Sequence, residues 1–156
     1  MSSANFSNYN KEDIGDCKHL KIGIIHSKWN SKITDNLFAG AYSTLIDLGV
    51  VKKNITTYEV PGSFELVHGA KKMSKNNVDV IICIGCVIKG ETSHFEYICS
   101  SVSNGIINLN IHLNVPVIFG VLTDNIVQQS IDRSGGKLGN KGIEAAVTAV
   151  KMALLK

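Results

Sequence analysis

The sequence predicts one α/β domain, a three-layer sandwich in which helices cover both faces of a four-stranded parallel sheet. Short apolar runs of strand character alternate four times with stretches whose apolar residues recur at helical spacing, the pattern of strand–helix–strand units. The most apolar run, residues 78–88, has the length of a central strand and not of a helix. Size agrees: a chain of 156 residues, 44% hydrophobic and 19% charged, buries roughly 70% of its unfolded surface in a single core. Disorder, collagen-like repeats and a disulfide-stapled miniprotein are excluded by the same composition. No internal repeat or linker is visible, and the division expected is a polar arm over residues 1–19 and a single domain over 20–156.

The elements follow in order. Residues 20–26 form a short Ile-rich run closed by the turn-like Ser27-Lys28-Trp29-Asn30, a buried strand. Leu37, Ala41, Leu45 and Leu48 mark a helix, with Gly49 at its C-terminal cap. Residues 54–60 are rich in β-branched and aromatic side chains, and Pro61-Gly62 ends that strand ahead of a helix expected near Ser63. After the central strand, Phe95, Ile98, Cys99, Val102, Ile106 and Leu109 lie on one helical face, and Ser93 with Glu96 reads as a capping box that puts the start of this helix at residues 92–94. Residues 115–122 form the fourth strand, with Pro116 tolerable only near its start. A short helix over 125–134 meets a glycine-rich break, and Ile143, Ala146, Val147, Val150 and Leu154 face one side of the last helix.

Charge and cysteine usage narrow the function. A net charge of +3 without a long basic run argues for neither a nucleic-acid groove nor a membrane surface, and leaves a small-molecule site as the default. The polar first nineteen residues have neither the apolar stretch of a secretory peptide nor the arginines of a transit peptide. No run approaches the roughly 18 apolar residues needed to span a bilayer. Four cysteines in a domain of this size fit a reducing compartment, so a cytoplasmic protein is expected.

Cys83-Ile84-Gly85-Cys86 has redox-pair spacing, but inside a strand residues three apart point to opposite faces, and a redox pair wants a helix N-terminus. Buried strand residues are the expected outcome, and a zinc site lacks a second close ligand pair. The glycines between Ser134 and Gly142 match neither phosphate-loop motif and lie between two helices, so a helix break is expected there. Arg133 is the single arginine among fifteen lysines. It serves either a bidentate anion contact or a salt bridge with Asp132 or Glu144.

An anion site is plausible at Gly90-Glu91-Thr92-Ser93-His94, where a loop leaves a central strand and enters a helix whose N–H groups and dipole face solvent. Ligands of open parallel sheets gather at such carboxyl ends. His94 stands at that mouth with chemistry suited to proton transfer at neutral pH. His19, His68 and His112 read as surface or packing residues, and His26 ends a strand at the same edge. Val60-Pro61-Gly62-Ser63-Phe64-Glu65 is a second strand-to-helix turn there, with donors and a carboxylate fitted to a polyhydroxylated ligand; alternatively, Glu65 merely complements a helix dipole. Trp29, the only tryptophan, either stacks on a planar ligand or packs.

Four segments at these predicted edges resemble one family, 6,7-dimethyl-8-ribityllumazine synthase. They are Ser27-Lys28-Trp29-Asn30; Val60-Pro61-Gly62-Ser63-Phe64-Glu65; Gly85-Cys86-Val87-Ile88-Lys89-Gly90-Glu91-Thr92-Ser93-His94-Phe95-Glu96-Tyr97; and Pro116-Val117-Ile118-Phe119-Gly120-Val121-Leu122-Thr123, continued through Arg133 to Lys141-Gly142. The resemblance runs from about residue 20 to residue 155. It implies a flavodoxin-like fold and a cofactor-independent, metal-free condensation in riboflavin biosynthesis. In that reaction 5-amino-6-(D-ribitylamino)uracil and 3,4-dihydroxy-2-butanone 4-phosphate give the lumazine, phosphate and water.

By position, the resemblance implies that Trp29, where the family more often has Phe, stacks on the pyrimidine. Ser63, Phe64 and Glu65 would line the ribityl chain, Cys86, Val87 and Ile88 would contact the heterocycle, and Phe119 would come from an adjacent subunit. Glu91, through its N–H, Thr92 and Arg133 would bind phosphate with Lys141 nearby, and His94 would move protons. The family also implies a homo-oligomer: a pentamer, with a sixty-subunit capsid favoured by the short connection at 135–139, an N-terminal arm able to add a strand to the neighbour's sheet, and riboflavin synthase as a further partner. Two other classes compete, a flavodoxin-like module that binds FMN without catalysis and an inactive shell-forming homologue. The presence of the site residues favours the enzyme.

Overall fold

The computed structural model describes residues 8–155. Strands β1 (Ile22–Ser27), β2 (Ile55–Val60), β3 (Val80–Ile88) and β4 (Val117–Asp124) form one parallel sheet in the order β2-β1-β3-β4. Helices α1 (Ser31–Asp47) and α5 (Lys141–Ala153) cover one face, and α2 (Leu66–Met73) and α3 (His94–His112) the other. The expected α/β sandwich is what forms. β1 and β3 read as continuous apolar runs because both of their faces are covered. Ile22, Ile24, Ile82 and Ile84 enter the core under α1 and α5, while Ile25, Ile81 and Cys83 enter the core under α2 and α3.

Several expected boundaries shift for local reasons. The second helix begins at Leu66 and not near Ser63: residues 61–65 form a turn in which the Glu65 carboxylate accepts the Gly62 N–H at 3.0 Å. The Ser93–Glu96 capping box does not form. Thr92 Oγ1 takes the His94 N–H at 3.4 Å, and Glu96 pairs with Lys89 at 3.2 Å. On α3 only Val102 and Ile106 of the expected face are buried; Phe95 and Ile98 instead line a cleft at the sheet edge. On α5, Ala146, Val147 and Val150 of the expected face are buried together with Ala145 and Ala149, while Ile143 and Leu154 are only half-buried and Leu154 caps the helix's C-terminus.

The glycine-rich break between α4 (Val127–Arg133) and α5 is a small antiparallel hairpin, β5 (Ser134–Gly136) with β6 (Gly139–Asn140). Gly135 and Gly139 have φ of 120° and 76°, which glycine adopts without a Cβ penalty. Within the polar arm, Tyr9 donates to Asp47 at 2.7 Å and Lys11 pairs with the same carboxylate. Ile14 and Cys17 are buried in the core under α1, so that core draws on residues ahead of position 20. The expected strand addition by the arm falls partly on residues 1–7, which lie outside the described residues. No helix among the described residues is long and apolar enough to cross a membrane.

Candidate functional site

The order β2-β1-β3 makes the connections after β1 and β3 leave toward opposite sides, and a crevice opens outside the carboxyl ends of these strands. The β1–β2 ladder continues past its last residues: Lys28 and Trp29 donate to the carbonyls of Val60 and Pro61 at 2.9 and 3.0 Å. That anchor leaves the Trp29 ring at the rim, 71% exposed. Asn30 follows in the left-handed region at φ 59°, and its Nδ2 donates to the Cys86 carbonyl at 3.0 Å, tying the loop after β1 to the end of β3. Sequence reading gave Asn30 no role of its own.

The resulting cleft has a volume of about 600 Å³, the size of a small-molecule site. Trp29, Ser63, Phe64 and Glu65 line one side and Cys86, Val87 and Ile88 its floor. Thr92 and His94, at the start of α3, close the other side. Glu91 is exposed in the turn ahead of α3 and does not line the cleft. The Ser63 hydroxyl is buried without a hydrogen-bond partner among the described residues, a costly state unless a ligand or water supplies one. Gly85 makes room for it: a Cβ there would stand 2.6 Å from Ser63 Oγ.

The structure does not bring all the expected residues into this cleft. Phe119, Arg133 and Lys141 line a separate cavity of about 690 Å³ beside β4, with no lining residue in common with the first. Phe119 is 42% exposed on β4, one of the two edge strands of the sheet. Lys141 donates to both carboxylate oxygens of Glu144, at 2.7 and 2.8 Å.

The family model described as 6,7-dimethyl-8-ribityllumazine synthase matches residues 19–156. The chain belongs to this family. Similar proteins carrying the same name include one from Flavobacterium psychrophilum, 53% identical over 99% of this chain and 82% of its own length, and one from Flavobacterium johnsoniae, 54% identical over 97% and 80%. Another, from Cytophaga hutchinsonii, is 50% identical over 97% of both chains. Lumazine synthase is an enzyme of riboflavin biosynthesis, and the four-stranded parallel sheet is consistent with the family's flavodoxin-like sandwich.

Within this lumazine synthase fold, Cys83 and Cys86 face opposite cores, as strand geometry requires. Burial pushes their thiols up to about 12 and about 11, so neither is a thiolate at neutral pH. Cys86 Sγ lies 3.4 Å from the Oγ of Ser130, a residue that does not line the cleft, while the Cys86 carbonyl accepts from Asn30, which does. Arg133 pairs with neither Asp132 nor Glu144. Its Nε lies 3.9 Å from Asp124 and its Nη1 donates to the Gln129 carbonyl at 2.9 Å, while Lys137 takes Asp132. Asp124 and Ser130 went unnoticed in the sequence because a carboxylate and a hydroxyl six residues apart carry no motif.

His26 does more than end a strand. It is buried, its ring lies 4.6 Å from that of Phe38 on α1, and its Nε2 is 3.6 Å from Glu59. Burial lowers its pKa against the opposing pull of Glu59. It does not line the cleft.

Proposed function

We propose that this chain condenses 5-amino-6-(D-ribitylamino)uracil with 3,4-dihydroxy-2-butanone 4-phosphate to 6,7-dimethyl-8-ribityllumazine, releasing phosphate and water, and that it does so in the cytoplasm without a cofactor or metal. The observation that carries this reading is one cleft offering an exposed flat ring at Trp29, an unpartnered buried hydroxyl at Ser63 and a histidine at a helix start, His94. These are the groups that a heterocycle, a polyol chain and a proton transfer require.

In this reading Trp29 stacks on the pyrimidine, while Ser63, Phe64 and Glu65 line the ribityl chain. Cys86 through its backbone, with Val87 and Ile88, holds the ring. The 5-amino group attacks the ketone and forms an imine with loss of water. His94 moves the protons as phosphate leaves, and ring closure of the ribitylamino nitrogen onto the carbonyl that remains expels a second water, without a covalent enzyme intermediate. Thr92, the Glu91 N–H, Arg133 and Lys141 receive the phosphate.

Because Phe119 and Arg133 line a different cavity from His94, the reading places them in the site of an adjacent subunit. The protein then works as a homo-oligomer, a pentamer or a sixty-subunit shell, with the arm of residues 1–19 adding a strand to the neighbour and riboflavin synthase as a further partner. Mixing the two substrates tests the activity: a new lumazine emission that scales with protein supports it. Its absence with both substrates bound would overturn it in favour of a flavin-binding module or an inactive shell. Light scattering distinguishes the two assemblies.

A further inference from the structure

Four contacts converge on Asp124. As the last residue of β4 it stands in register with Ile88, and its carbonyl accepts the Lys89 N–H at 2.9 Å, which closes the ladder just ahead of Gly90. Its side chain is buried, where a carboxylate is costly unless paired. Ser130 Oγ donates to Asp124 Oδ2 at 2.8 Å, and Arg133 Nε faces Oδ1 at 3.9 Å.

The direction of this run of contacts is fixed by chemistry. A carboxylate only accepts, so the single Ser130 proton goes to Asp124, and the Cys86 thiol, kept protonated by burial, donates to Ser130 at 3.4 Å. The backbone carbonyl of Cys86 accepts from Asn30 Nδ2, so Cys86 links the Trp29 loop through its carbonyl and the Ser130–Asp124–Arg133 contacts through its thiol. With Nη1 hydrogen-bonded inside the protein and Nε facing Asp124 without a hydrogen bond, Nη2 has neither a hydrogen bond nor an ion pair among the described residues, on a side chain that lines the cavity beside β4.

We propose that Asp124 is the positioning residue for Arg133, holding the guanidinium so that Nη2 is presented to a phosphate ester before it arrives. This rests on the reading of Arg133 as the phosphate-binding arginine. The Asp124–Arg133 contact is longer than a hydrogen bond, so phosphate has no strong bond to displace. Fixing a side chain with many rotamers in advance removes the cost of ordering it during binding.

The test compares Asp124→Asn, which keeps an acceptor for Ser130 but removes the charge, with Asp124→Ala, Arg133→Gln and the Asp124→Asn/Arg133→Gln double variant. Asp124→Asn raises KM for the phosphorylated ketone by about three- to tenfold, while kcat and the pyrimidine KM change less than twofold. The inhibition constant of inorganic phosphate rises in the same ratio, and the double variant matches Arg133→Gln alone. An unchanged or lowered ketone KM in Asp124→Asn, beside a raised one in Arg133→Gln, overturns the positioning role and leaves the phosphate role of Arg133 standing. An unaffected Arg133→Gln overturns both. Equal losses in kcat and both KM values, or additive effects in the double variant, mean a general structural role and also overturn it.

Discussion

Gly85→Ala tests how tightly the floor of the cleft is packed against the turn that carries Ser63. The new Cβ would stand 2.6 Å from Ser63 Oγ, 2.9 Å from Leu66 Cδ1 and 3.3 Å from Ser63 Cβ. The first two contacts are about 0.8 and about 0.5 Å short of the 3.4 Å at which ordinary contact begins. Both residues are buried, and Leu66 opens α2 from the middle of the core under that helix, so neither swings away freely. Overpacking of this kind costs about 1–3 kcal/mol. At about 2–4 °C per kcal/mol for a chain of this length, the melting temperature falls by several degrees. Because displacement falls on the Ser63 hydroxyl, KM for the ribitylaminopyrimidine also rises. Urea unfolding followed by Trp29 emission, with steady-state kinetics, reads both effects. Ser63→Gly in the same chain removes two of the three close contacts and recovers most of the lost stability without restoring the KM. A stable Gly85→Ala variant with an unchanged pyrimidine KM, or no recovery in the double variant, refutes the packing argument.

His94→Ala slows turnover by about 10²- to 10⁴-fold or less while measurable activity persists, because orienting two reactants supplies a larger share, roughly 7–11 kcal/mol; complete loss with both substrates bound contradicts this. Arg133→Lys raises KM for the phosphorylated ketone more than it lowers kcat, since a point charge does not replace the fork, and an unchanged KM sinks the phosphate assignment. His26→Phe flattens the acid limb of stability. The buried His26 has a pKa below the 6.5 of the free side chain, so the unfolded chain takes up the proton first, and stability present above 6.5 is lost as pH falls from there to the folded value. Melting curves between neutral and mildly acid pH measure it, and parallel curves for parent and variant count against it.

The architecture was legible because it rests on patterns that a sequence displays directly. A parallel sheet covered on both faces leaves β1 and β3 as unbroken apolar runs, and amphipathic spacing marks the last helix. The candidate residues of the cleft were legible for a related reason: each sits in a strand-to-helix hand-over, Trp29 and Ser63 in the turn and His94 at the helix start, so knowing the strands places all three at one edge. Ser93 marked the start of α3 correctly, but the capping bonds there were less legible, because a cap is settled by whichever side chain reaches the first N–H groups. Ser93 and Glu96 had the right spacing, yet Thr92 and Lys89 took the contacts.

By itself, then, the sequence determined the sandwich, the edge at which the site lies and, through its resemblance, the family. Tertiary structure decided what the side chains at that edge are bonded to. It paired the Cys86 thiol with Ser130, left the Ser63 hydroxyl buried and unpartnered, and set Arg133 against Asp124 in a cavity separate from that of His94. The physical reason is that hydrophobic periodicity is a property of neighbours along the chain. The partner of a buried polar group is set by which strand ends the sheet order brings side by side, and no local pattern encodes that choice.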